Sequence, residues 1–185
     1  VPLLFAGYVA AFLDRVNIGF AKLQMAGELQ FSDAVYGFGA GIFFIGYFLL
    51  EIPGTLLVEK WSARKWISRI MISWGIIAAL TAAVHTPHQF YTVRFLLGLA
   101  EAGFYPGIIL YLTWWFPSAY RSRIIGLFMT AIPISIVTGS LISSQILRLG
   151  NWGGLQDWQW LFILEAIPAV VLGIAVMLYL TDGPE

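Results

Sequence analysis

The sequence predicts an all-α membrane protein of six transmembrane helices, and three observations carry that reading. The 185-residue chain is 59% hydrophobic and 11% charged, with mean hydropathy +0.82, where a soluble domain would hold roughly 25% charged residues. Its apolar residues fall into six separate runs of about the 20 residues that a spanning helix needs. Lys and Arg gather in alternate connectors, the asymmetry that orients helices in a bilayer.

The first run, Leu3–Lys22, has spanning length and no small-residue cleavage site behind it, so it is not read as a signal peptide. The remaining spans are expected at Val35–Val58, Trp66–Val84, Phe90–Phe116, Ile124–Leu147 and Trp158–Leu180. Short polar or turn-rich connectors separate them: Gly27–Asp33, Glu59–Lys65, His85–Gln89, Pro117–Arg123 and Arg148–Asp157. Aromatic residues such as Trp61, Trp66, Trp114, Trp115 and Trp158 crowd the span ends, where amphipathic rings sit at headgroup level. Lys60, Arg64, Lys65 and Arg69 mark the second connector and its flank, and Arg121 and Arg123 the fourth. Both connectors are therefore expected to be cytoplasmic, and with six spans both termini too. Gly37 with Gly41 and Gly103 with Gly107 form G-x-x-x-G pairs where helices can approach. Pro53, Pro106, Pro133 and Pro168 are expected to kink their spans. The chain opens at Val1 without Met and stops at Glu185 just after a span, so a fragment is expected.

Several chemistries are excluded. Without Cys there are no disulfides and no thiolate metal sites. A formal net charge of zero offers no electrostatic case for nucleic acid. No H-E-x-x-H, G-x-S-x-G or P-loop pattern occurs, and His85 and His88 read as solvated surface in an outer connector.

The informative residues are the ionisable ones inside spans: Asp14 and Arg15 in the first, Arg94 and Glu101 in the fourth. Charge near a bilayer centre is costly and marks a solute or ion path by default. Arg94 and Glu101 lie on one helical stripe but roughly 10 Å apart along the axis, so each needs another partner. Asp14 and Arg15 point about 100° apart, and Asn17 shares the side of Asp14. A compact solution sets the first and fourth helices across one cavity. There a carboxylate neutralises a guanidinium until an anionic solute arrives. Arg stays charged, carboxylates can take up protons, and a guanidinium fork suits a carboxylate ligand. A structural ion-pair network without solute is the competing reading. Glu51 and Glu165, nearer span ends, are read as structural.

Asp14-Arg15-Val16-Asn17-Ile18 resembles the D-R-x-N-I signature of the anion:cation symporter branch of the major facilitator superfamily, the phthalate, tartrate and sugar-acid permeases. The stretch Thr55-Leu-Leu-Val-Glu59-Lys60-Trp-Ser62-Ala-Arg64-Lys65 resembles the superfamily's G-x-L-x-D-R-x-G-x-[RK]-[RK] loop, with Thr55 and Ser62 in place of glycines. Phe90 through Arg94, Gly98, Glu101, Gly103 and Pro106-Gly107, continuing to Trp114-Trp-Phe-Pro117 and Arg121, is the most specific match, and Trp158 through Glu165 with Pro168 resembles the family's sixth helix. The resemblance implies one half, residues 1–185, of a twelve-helix transporter built from inverted three-helix repeats. It implies Arg15, Asn17, Tyr47 and Arg94 as substrate-side residues and Asp14 and Glu101 as proton carriers. Glu59, Lys60, Arg64 and Lys65 are implied as a cytoplasmic gating loop.

The expectation is then a proton-coupled symporter of small organic carboxylates, with the proton as coupling ion and no other cofactor or metal. Its expected partners are the solute, membrane lipid and the C-terminal half of the same transporter, in a bacterial inner membrane. A facilitator or sodium-coupled exchanger of the same anions, or a non-transporting scaffold or sensor, stays open beside it.

Overall fold

The structure is a computed structural model, and it describes residues 1–183. Eight α-helices occur among them: α1 Pro2–Leu29, α2 Asp33–Lys60, α3 Ala63–Leu80, α4 Pro87–Glu101, α5 Phe104–Trp115, α6 Ser118–Met129, α7 Ala131–Ile146 and α8 Asp157–Tyr179. Short 3-10 turns occupy Thr81–Ala83 and Trp152–Gly154. Counted with their interruptions, these helices make six membrane-length apolar spans: Pro2–Leu29, Asp33–Lys60, Ala63–Ala83, Pro87–Trp115, Ser118–Ile146 and Asp157–Tyr179. The chain is a multi-pass integral membrane protein.

Local sequence sets the helix starts. Ser32 accepts from Val35 N, Ser62 from Lys65 N, and Thr86 with Gln89 forms a reciprocal capping box ahead of Pro87. Each cap occupies backbone donors that lipid cannot satisfy. Two boundaries differ from expectation. The first helix runs on to Leu29, through the expected start of the connector at Gly27, and turns at Gln30 with φ 53°. The fourth connector is helical from Ser118, and the Arg121 guanidinium reaches back to donate to Phe116 O at 3.0 Å and Thr113 O at 2.9 Å, closing the end of α5.

Prolines act unequally. Proline removes a donor and crowds the carbonyl four residues earlier. The fourth span breaks at Ala102–Gly103, four and three residues before Pro106, and the fifth at Thr130, three before Pro133. Pro53 and Pro168 stand inside continuous helices, where no break follows.

The contact pattern maps onto itself when spans one, two and three are exchanged for four, five and six. α2 packs on α4 as α7 packs on α1; α3 packs on α4 as α8 packs on α1; and α3 packs on α8. This is the packing of two inverted three-helix repeats. Glycine permits the approach of α2 to the fourth span, though not at the first of the two expected pairs. Gly37 and Gly41 have no neighbour within 4 Å. A Cβ on Gly98 would instead sit 2.0 Å from Phe43 O, and one on Gly46 2.5 Å from Phe95 O. Gly103, at φ 82°, meets the backbone of Gly54, and a Cβ on Gly107 would lie 2.9 Å from Val58.

Two apolar clusters fill the bundle. One gathers Tyr8, Met71, Trp74, Phe104 and Phe128, the other Met25, Phe31, Phe90, Trp158 and Phe162. Between them on α1 lie Asp14 to Asn17, on α4 Arg94, on α7 Ser143 and on α8 Glu165. Asp14, Asn17, Arg94, Ser143 and Glu165 thus form a buried polar layer across the bundle.

Candidate functional site

The expected pairing of the first and fourth spans is present. Arg15 on α1 donates from Nε at 2.9 Å and from Nη2 at 2.5 Å to the same oxygen, Oε1 of Glu101 on α4. Glu101 is 1% exposed, whereas the Arg15 side chain keeps 29% of its surface open. A cation at the open side is therefore held by an anion behind it. The Arg15 guanidinium also lies over rings, 5.1 Å from Phe12, 5.6 Å from Tyr47 and 5.9 Å from Phe43. Tyr47 itself is half-buried beside it.

Arg94 is 6% exposed and stacks 4.8 Å from the Phe43 ring, so one phenylalanine lies under both guanidiniums. Its charge faces Asp14, but no carboxylate comes within 4.0 Å among the described residues. Asp14 Oδ2, Arg94 Nε and Glu101 Oε2 are all buried without a hydrogen-bond partner. The layer thus holds charges close enough to interact and leaves polar atoms free to take a proton, water or ligand.

Asn17 lies deeper in the layer than Arg15. It is 1% exposed and lies beside Glu165 on α8. Glu165, read from sequence as structural, is 4% exposed and accepts from Ser143 Oγ at 2.8 Å. Glu51 on α2 is half-buried and forms no salt bridge among the described residues.

At the opposite end, α2 and α3 are joined by only Trp61 and Ser62. Glu59, Lys60 and Lys65 are exposed there and Arg64 is half-buried. Sequence reasoning missed their partner. Asp182, just past α8, accepts from Ser62 Oγ at 2.5 Å and from Arg64 N at 3.0 Å, bridging the sixth span to the start of α3. Burial pushes the Asp182 carboxyl up, but the Ser62 and Arg64 bonds and the Arg64 and Lys65 charges outweigh it and hold the group below the usual aspartate value. The available signal was positional: Asp182 is the first charge after a long apolar run, on the same side as the basic connector. Ser143 offered no signal at all, being one hydroxyl among several in its span.

Comparison with known proteins agrees with this architecture. The chain is 55% identical over 185 residues to a protein of Agrobacterium vitis named as a candidate tartrate transporter, covering 100% of the chain and 43% of that relative. It is 43% identical over 183 residues to a protein of Acinetobacter baumannii named a quinolone resistance transporter, covering 42% of it. The chain thus spans less than half the length of these relatives. Among solved structures, an inward-facing, occupied bacterial homologue of the human lysosomal transporter Spinster superposes with TM-score 0.86 at 20% identity, covering 99% of this chain and 44% of the other. A family profile described as the Major Facilitator Superfamily matches residues 4–185, and with six membrane-length helices in two inverted repeats the chain belongs to that superfamily.

Proposed function

We propose that the chain is the N-terminal half of a proton-coupled symporter that brings a small organic carboxylate into the cytoplasm. The observation that carries this is the Arg15–Glu101 pair: a partly open guanidinium hydrogen-bonded to an enclosed carboxylate. Protonation of Glu101 releases Arg15, and the freed fork takes the substrate carboxylate beside Tyr47. Asp14 plays the same part toward Arg94, which organises the layer from behind. Loss of the protons on the cytoplasmic side restores the internal pairs and expels the anion. The kinship with a tartrate carrier supports a carboxylate substrate.

Coupling is an energetic requirement. With the inside negative, importing one negative charge costs about 2.3 kcal/mol per 100 mV, and one proton per carboxylate cancels it. The basic corner of Glu59, Lys60, Arg64 and Lys65 between α2 and α3 lies on the cytoplasmic side, where the Asp182 bridge closes or opens with the bundle. Both termini of this half are cytoplasmic, and the membrane is the bacterial inner membrane.

The quinolone-resistance relative favours a second reading, proton-driven export of a zwitterionic drug on the same charges. Uptake of labelled tartrate and of a quinolone into proteoliposomes carrying the full-length protein separates the two. Inward tartrate accumulation under an inward proton gradient supports import; gradient-driven quinolone efflux without tartrate uptake replaces it. Tartrate movement that ignores the gradient indicates a facilitator.

A further inference from the structure

The polar layer contains three buried carboxylates, Asp14, Glu101 and Glu165, but only two guanidiniums, Arg15 and Arg94. Arg15 is committed to Glu101, and Arg94 faces Asp14. Glu165 has no cation within 4.0 Å among the described residues. A layer this enclosed cannot carry an unmatched charge cheaply: isolated buried carboxylates neutralise themselves instead.

The orphaned atoms show where the missing positive charge belongs. Glu165 Oε1 is occupied by the Ser143 hydroxyl, while Oε2 is buried and unpartnered. Asn17, beside it, has both Oδ1 and Nδ2 buried and unpartnered, and Asp14 Oδ2 is in the same condition. A proton on Glu165 Oε2 would donate to Asn17 Oδ1. That turns Asn17 Nδ2 toward Asp14, three residues earlier on the same helix side. That proton and the amide's own N–H would together give partners to four orphaned atoms, none of which has a hydrogen bond in the structure.

We propose that Glu165, with Ser143 and Asn17, is a third proton-holding site, enclosed within this half and linked to Asp14 through Asn17. It does not touch substrate, being covered by α1, α7 and α8. It keeps one proton in the layer when the carrier is empty, and by orienting the Asn17 amide it stabilises the Asp14 carboxylate that faces Arg94. The groups around it leave few alternatives. α1 presents Asp14, with Arg94 of α4 beyond; its Lys22 is paired to Asp33 and its Glu28 to the Trp158 indole. α7 contributes hydroxyls and the Gln145 amide but no ionisable group, and the ionisable residues of α3 are confined to its first two turns, at Arg64, Lys65 and Arg69. The inference rests on the proposed function only in treating Asp14 and Glu101 as the coupling carboxylates.

Infrared difference spectroscopy on substrate-free, full-length protein tests it without any transport measurement, so its failure is separable from failure of the symport reading. At neutral pH the expected spectrum holds one carbonyl-stretch band of a protonated carboxylic acid in this layer. Glu165→Gln removes that band, and Ser143→Ala, which strips a hydrogen bond from the same carboxyl, shifts it. Absence of the band in the parent protein overturns the proposal, as does a band that survives Glu165→Gln unchanged. If Glu165→Gln does not fold, the Ser143→Ala shift decides alone, and an unmoved band refutes the assignment. A band that appears only when sodium is withdrawn would mean that the site holds sodium, and would also overturn the proton.

Discussion

Glu101→Gln keeps the size of the side chain and removes its charge. In the structure the Glu101 carboxylate accepts two N–H groups of Arg15, at 2.9 and 2.5 Å, on one oxygen. A substrate anion must displace that carboxylate before it can use the same donors. Hydrogen bonds to charged groups contribute about 1.5–3 kcal/mol net, and the 29% exposure of Arg15 places this pair at the lower end. Glutamine still accepts through its amide oxygen but no longer opposes the anion with charge. At alkaline pH, where Glu101 is ionised in the parent, the variant should therefore bind the carboxylate about tenfold more tightly, the equivalent of about 1.4 kcal/mol. Its affinity should also vary less with pH, one titrating competitor being gone. Transport should change in the opposite sense. Each coupled proton supplies about 1.4 kcal/mol per unit of pH gradient, so loss of one lowers the accumulation ratio about tenfold per unit. The assay is full-length protein in proteoliposomes, with substrate affinity by calorimetry, uptake under an imposed pH gradient, and substrate-for-substrate exchange. Exchange should persist while accumulation fails. If Glu101→Gln accumulates substrate as the parent does, Glu101 is not the coupling group.

Arg15→Lys keeps the charge but loses the planar fork and its ring contacts, so substrate affinity should fall by about tenfold or more; calorimetry checks it, and unchanged affinity returns the layer to a structural network. Gly98→Ala places a Cβ where 2.0 Å separates it from Phe43 O, so α2 and α4 must part, at a cost of about 1–3 kcal/mol read as a lower melting temperature in detergent. Gly27→Ala, with nothing within 4 Å, should stay within about 0.5 kcal/mol of the parent. Asp182→Asn removes a carboxylate whose folded value lies below the ordinary 3.8. Its contribution is present above that ordinary value and is lost as pH falls through the lower folded one. The melting difference between variant and parent should therefore be full near neutrality and close in acid below 3.8. Because this half lacks Cys, Lys60→Cys and His85→Cys report orientation: impermeant reagents should label the first only from the cytoplasm and the second only from outside.

Length and hydropathy alone determined the six spans, because a bilayer demands about 20 apolar residues per crossing whatever lies beside them. Arg15 and Glu101 were legible for a related reason: charge inside an apolar run is costly enough to stand out, and helix spacing forbids Arg94 and Glu101 from satisfying each other. Helix periodicity could not say which neighbour each charge meets. That Phe43 underlies both arginines, or that Glu101 takes Arg15 on one oxygen, depends on where α2 and α4 cross. The crossing in turn is set by Gly46, Gly54 and Gly98 rather than by the G-x-x-x-G pattern of Gly37 and Gly41, since a motif does not reveal which face of its helix is covered. Asn17 and Glu165 illustrate the same limit. They lie more than a hundred residues apart in sequence and come together only because α8 packs on α1. Asp182 is the remaining case, an acid in a short tail whose role exists only because α8 ends beside the first turn of α3. Local composition fixes what must be buried, and only the packing of the two repeats decides what each buried charge is buried against.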